Sequence, residues 1–135
     1  MKNYLLLTLA LCTVGFVGCG GGSSKVVTSP YKGSYAGTFK ATPTTGVQVG
    51  TFTTMVGSDG KLTGSTNNTT ANVISSLAGT VSNSGQVSVT IVNTFGTDTA
   101  TGTVAFAANG HLIGSLTQFH STTLVGPLTF DVTQQ

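Results

Sequence analysis

The chain has 135 residues, 39% of them hydrophobic and only 6% charged, and its formal charges are five Lys against three Asp, for a net +2. That length fits one domain. Nucleic-acid binding needs a dense cationic field to neutralise phosphates, and Lys2, Lys25, Lys32, Lys40 and Lys61 are scattered, so that class is excluded.

The chain opens with Met1-Lys2-Asn3, runs apolar from Tyr4 to Val17, and passes Cys19 into Gly20-Gly21-Gly22-Ser23-Ser24. A basic start, a short apolar core and small residues beside the cysteine have the form of an export signal. A helix that stays in the bilayer wants about 20 apolar residues, and this run is short and interrupted by Thr8, Thr13 and Gly15. An ordinary signal peptidase would need an A-x-A pattern, which is not there. The residues Val17-Gly18-Cys19 resemble the lipobox of bacterial lipoproteins, with Phe16 where Leu is commonest.

The resemblance implies that residues 1–18 are a signal peptide, that the Cys19 thiol is diacylated, and that the new amino terminus takes a further acyl chain such as palmitate. It also implies a place in the cell envelope. Since Gly20 stands where an Asp would retain the protein in an inner membrane, that place is the outer membrane if the cell is Gram-negative. One chain holds a protein marginally and two hold it stably, each buried methylene adding about 0.8 kcal/mol. Cys12 leaves with the signal, so the mature chain keeps Cys19 alone, which leaves no internal disulfide and no cysteine zinc site.

Residues 19–30 read as the lipidated cysteine and a flexible tether, whose Gly/Ser composition gives an end-to-end distance of roughly 18 Å. From Tyr31 to Gln135 the chain is rich in Thr and Gly, and apolar residues recur at every second position rather than at a helical period, which predicts strands. The spans are Ser34 to Lys40, Val47 to Val56, Lys61 to Thr66, Val73 to Val81, Gln86 to Asn93, Thr99 to Ala107, His111 to Phe119 and a last strand carrying Leu128, Phe130 and Val132.

Three turns set the pairing. Ser58-Asp59-Gly60, Asn83-Ser84-Gly85 and Ala108-Asn109-Gly110 each put Gly where a type I turn continues into a left-handed residue, a position a side chain disfavours. A loop centred on Asn109 pairs Phe106 with Leu112 and Val104 with Gly114. Centring on Ser84 pairs Val81 with Val87 and Leu77 with Ile91, and centring on Asp59 pairs Val56 with Leu62. In each hairpin the apolar residues share one face, and a one-residue slip would scatter them.

Inward glycines at Gly37, Gly64, Gly79, Gly102 and Gly114 relieve crowding where a sheet curls tightly. The expected fold is therefore all-β, an eight-stranded antiparallel up-and-down meander forming a small closed or nearly closed barrel. A two-sheet β-sandwich is the alternative. Gly50-Thr51-Phe52 followed by Ser58-Asp59-Gly60-Lys61-Leu62-Thr63-Gly64 resembles hairpins of avidin-like and other calycin barrels. That resemblance implies a shape and no ligand, since the biotin pockets and the lipocalin signature both use Trp and this chain has none.

In such a meander the tight turns gather at one end, where the tether enters, and four roomier connections gather at the other. These are Ala41 to Gly46, Asn67 to Asn72, Thr94 to Thr97 and His120 to Leu124. The candidate binding residues there are Thr44, Thr45, Asn67, Asn68, Phe95, Asp98, His120 and Ser121, with Phe95 as the large exposed apolar residue. Plain polar turn chemistry is the competing account of these loops.

The same register sets Asp98 opposite His120. A carboxylate orienting an imidazole is half of a nucleophile-activating site, with Ser121 or Thr97 as candidate nucleophile, and an ion pair closing the barrel mouth is the competing reading. One His and one Asp are too few for a metal, and no cofactor is expected.

The expected function is a lipid-anchored cell-envelope protein, not an enzyme, held to the membrane through Cys19. It would present distal loops to an envelope or extracellular partner or serve structurally. The alternative is a carrier of a small apolar ligand inside the barrel, and a hydrolase using Asp98 and His120 is a third reading. Inward Phe39, Phe52, Phe106, Phe130 and Leu116 are expected to fill the interior. An open cavity of about 300 Å³ or more would favour the carrier instead.

Overall fold

The computed structural model describes residues 27–135, so the expected signal peptide, Cys19 and the Gly/Ser part of the tether lie outside the described residues. Alternation of buried apolar and exposed hydroxyl-bearing residues carries the chain through eight strands. They are β1 (Gly33–Ala41), β2 (Gln48–Val56), β3 (Lys61–Asn68), β4 (Val73–Val81), β5 (Gln86–Asn93), β6 (Gly96–Phe106), β7 (Leu112–His120) and β8 (Thr123–Gln134). Each pairs antiparallel with the next, and β1 pairs with β8 from Tyr35↔Gln134 to Ala41↔Leu128, closing the barrel. Closure leaves no free edge to template pairing with another chain.

The registers follow the turns. Phe106↔Leu112, Val81↔Val87 and Val56↔Leu62 are all partners. Gly60, Gly85 and Gly110 take φ of 79°, 81° and 80°, the left-handed backbone that only glycine adopts without cost. The turns are also tied sideways, since the Gly60 carbonyl accepts from Val81 N–H and the Gly85 carbonyl from Val104 N–H, each at 2.8 Å. These turns and the chain entry lie at the same end of the barrel.

Inside, Phe52 and Phe130 stack at 4.9 Å between centroids, and the Phe130 ring lies over Gly114, where any Cβ would collide with it. Phe39 and Leu116 are also buried, as expected. Phe106 is the exception. Its parity is inward, but it is the last residue of β6 and lies at the barrel rim, so it is 46% exposed rather than part of the filling. Its ring stacks instead on Tyr31, with centroids 5.6 Å apart.

Tyr31 seals the turn end. Its backbone carbonyl accepts from Tyr35 Oη at 2.9 Å and its own hydroxyl donates to the Val104 carbonyl at 3.5 Å. Ser29, placed in the tether by composition, is buried, and its N–H donates to the Ser58 carbonyl at 2.9 Å. His111, beside a tight turn, bonds Asp131 through Nδ1 at 2.6 Å.

The opposite end departs from the expected four loops. β6 starts at Gly96 and β8 at Thr123, so the β5–β6 and β7–β8 connections shrink to Thr94-Phe95 and Ser121-Thr122. Only the β1–β2 connection, residues 42–47, is longer than the turns at the other end, and the β3–β4 connection, residues 69–72, is no longer than the β2–β3 turn. Asn67, Asn68, Asp98 and His120 therefore stand on strand ends rather than in loops.

Candidate binding cup at the open end

Filling stops short of the open end. With Phe106 at the other rim, the Phe52–Phe130 stack and its neighbours occupy the sealed part, and above them a cup of about 340 Å³ opens between the strand ends. Its apolar surface comes from Phe39, Ala41, Val73, Ile91, Val125 and Leu128, and its polar groups from Gln48, Asn68, Asn93, Asp98, Gln118 and His120. Thr66 and Ser75, paired across β3 and β4, add two inward hydroxyls. Thr66, Ile91 and Leu128 also line a void of about 30 Å³ beneath, so the floor is one side chain thick there. The volume reaches the lower part of the roughly 300–1,000 Å³ typical of ligand pockets.

The β6–β7 register brings Asp98 and His120 together. His120 Nδ1 lies 2.6 Å from Asp98 Oδ1, and Gln118 Nε2 donates to Asp98 Oδ2 at 2.6 Å. Gln118 reaches it because its partner across the pair is the small, fully buried Ala100. A bulge between Gln118 and Phe119 interrupts the β7–β8 ladder at this level, a device that re-aims side chains. The His120 ring also rests against Gly96, whose φ of 141° and missing Cβ leave it room, with a Cβ there lying 3.3 Å from His120 Cε1. Asp98 is 15% exposed and His120 60% exposed, so the carboxylate is set within the wall and the imidazole stands at the lip.

The other expected residues divide. Thr45 and Phe95 line the cup, Phe95 being 79% exposed at its edge. Asn68 also lines it, yet its amide is committed to structure: Oδ1 accepts from Thr70 and Ala71 N–H, and Nδ2 donates to Gln48 Oε1. Thr44 is exposed in the β1–β2 connection and does not line the cup, and Asn67 faces outward from β3. Ser121 is exposed in its turn with φ of 55°. Phe95 is not alone in its exposure, since Val47 and Leu124 at the same end are 52% and 59% exposed.

Gln118 and Gln48 were not anticipated. Gln118 was in reach of sequence reasoning, because it shares inward parity with His120 two residues on. Chemically, the pair leaves His120 Nε2 free of bonds to any hydroxyl among the described residues. Thr97 sits on the outward parity of β6, so neither candidate nucleophile is joined to the imidazole. No cluster of three or more metal-ligating groups occurs among the described residues.

No family model, curated protein or solved structure matches this chain.

Proposed function

We propose that the chain is a lipid-anchored cell-envelope protein that binds a small molecule in the cup at the open end of its barrel. The observation that carries this reading is the polarity of the barrel: it is sealed by Tyr31 where the chain enters and hollowed to about 340 Å³ at the far end. With Cys19 acylated, the tether would deliver the sealed end toward the lipid and hold the cup away from it. A carrier or receptor for a small ligand is favoured over loops that dock a protein, because two of the far-end connections are two-residue hairpins. Binding is favoured over hydrolysis because, among the described residues, neither Ser121 nor Thr97 is bonded to the Asp98–His120 pair, so no side-chain nucleophile is set against the imidazole.

The test is a small-molecule library titrated into the full chain by NMR. Chemical-shift changes confined to cup residues such as Val73, Ile91 and Leu128 are expected. Changes confined to the outer face, or none across the library, would remove the reading.

A further inference from the structure

We propose that the cup selects small amphipathic cations, an ammonium or guanidinium group on a compact apolar body, with Asp98 as the counter-charge. This rests on the reading of the cup as a binding site and names its ligand class. Asp98 is the one carboxylate among the residues lining the cup, and no Lys lines it. The described lysines are elsewhere: Lys32 precedes β1 and is exposed, Lys40 faces outward on β1, and Lys61 is beside a tight turn, 3.2 Å from Asp59. A single carboxylate set into low-dielectric walls focuses its field into the space it faces.

Asp98 is also held but not used up. An ionised carboxylate has about four acceptor sites, and Gln118 and His120 account for one on each oxygen. In the tautomer that gives Nδ1–H to Asp98, the imidazole would present Nε2 as a second acceptor at the lip. Two acceptors, one of them charged, match a donor-rich cation. The exposed Phe95 ring on the same rim adds a π face, which also favours cations. Below these groups Phe39, Ile91 and Leu128 offer an apolar floor to the body of the ligand. An anion would meet Asp98 as a like charge. A wholly apolar ligand would strip water from the carboxylate and return nothing to it.

The test uses three probes of one shape, cyclohexylammonium, cyclohexanol and cyclohexanecarboxylate. Each is titrated at neutral pH and physiological salt into the full chain, following the Ile91 and Leu128 methyl resonances. The ammonium should bind about tenfold more tightly than the alcohol, as a charge-assisted hydrogen bond outweighs a neutral one, and the carboxylate least. Asp98→Asn should bring the ammonium down to the alcohol's affinity. Equal affinities for ammonium and alcohol in the unaltered chain, or an ammonium preference that survives in Asp98→Asn, would overturn the cation assignment and leave the cup a binding site. Silence at Ile91 and Leu128 with all three probes would overturn both. The ranking in the unaltered chain needs no variant to fold.

Discussion

Gly114 yields its side-chain space to Phe130, and the Phe52 ring behind Phe130 blocks retreat. Overpacking of this kind costs typically 1–3 kcal/mol. Gly114→Ala is therefore expected to lose about 2–3 kcal/mol in urea denaturation, and adding Phe130→Leu should recover part of that loss. A Gly114→Ala protein as stable as the parent would show that the ring has somewhere to go. Asp59 acts through charge instead. Its carboxyl is held below the ordinary carboxylate range, first by the Lys61 backbone N–H and then by the Lys61 ammonium. A carboxylate whose value is lower folded than unfolded adds stability above the unfolded value and loses it as pH falls through the folded one. Asp59→Asn should accordingly flatten part of the acid-side decline in urea midpoints below the ordinary carboxylate range and leave the neutral region nearly level. A decline of unchanged steepness would count against the Lys61 contacts.

At the scale of elements, the turn-end seal depends on a residue that alternation did not foresee. Tyr31 precedes β1, stacks on the rim residue Phe106 and is 9% exposed. Tyr31→Ala should cost about 3 kcal/mol, in the range of aromatic truncations. Tyr31→Phe should cost little, because its hydroxyl bond to Val104 is a long 3.5 Å. Comparable losses for both variants would move the weight from ring to hydroxyl.

The three glycine turns were legible because each combines a left-handed glycine with an apolar pattern that accepts only one register. The far-end hairpins were not. Thr94-Phe95 and Ser121-Thr122 lack Asn-Gly chemistry, and Ser121 takes a positive φ without being glycine, which composition does not announce. Parity tells which way Phe106 points but not how far along the barrel it lies, so alternation alone cannot separate an inward rim residue from the filling. The Asp98–His120 contact was legible from the register. The hollow around it was not, since it depends on where large side chains stop along the axis.

For the whole molecule, closure is the least local feature. β1 meets β8 only when both ends of the domain are in place, and no hairpin rule specifies that pairing. Inward glycines were the available hint, and the alternation alone would equally serve a sandwich. Anchoring belongs to this scale too. Mass spectrometry of the mature protein should find an amino-terminal Cys19 bearing acyl chains, and Cys19→Ala should pass from the membrane fraction to the soluble one. A bare mature terminus would withdraw the envelope assignment and leave the barrel and its cup as they are.

Ser29 is bonded to Ser58 and Gln135 to Ser34, so the described chain both arrives and departs beside the same rim. A fluorescent reporter grafted after Gln135 would hang next to the tether, leaving the mouth unobstructed. Splicing Gln135 to the entry segment and reopening the chain between Thr69 and Asn72 would give a permuted barrel whose new ends flank the ligand entrance.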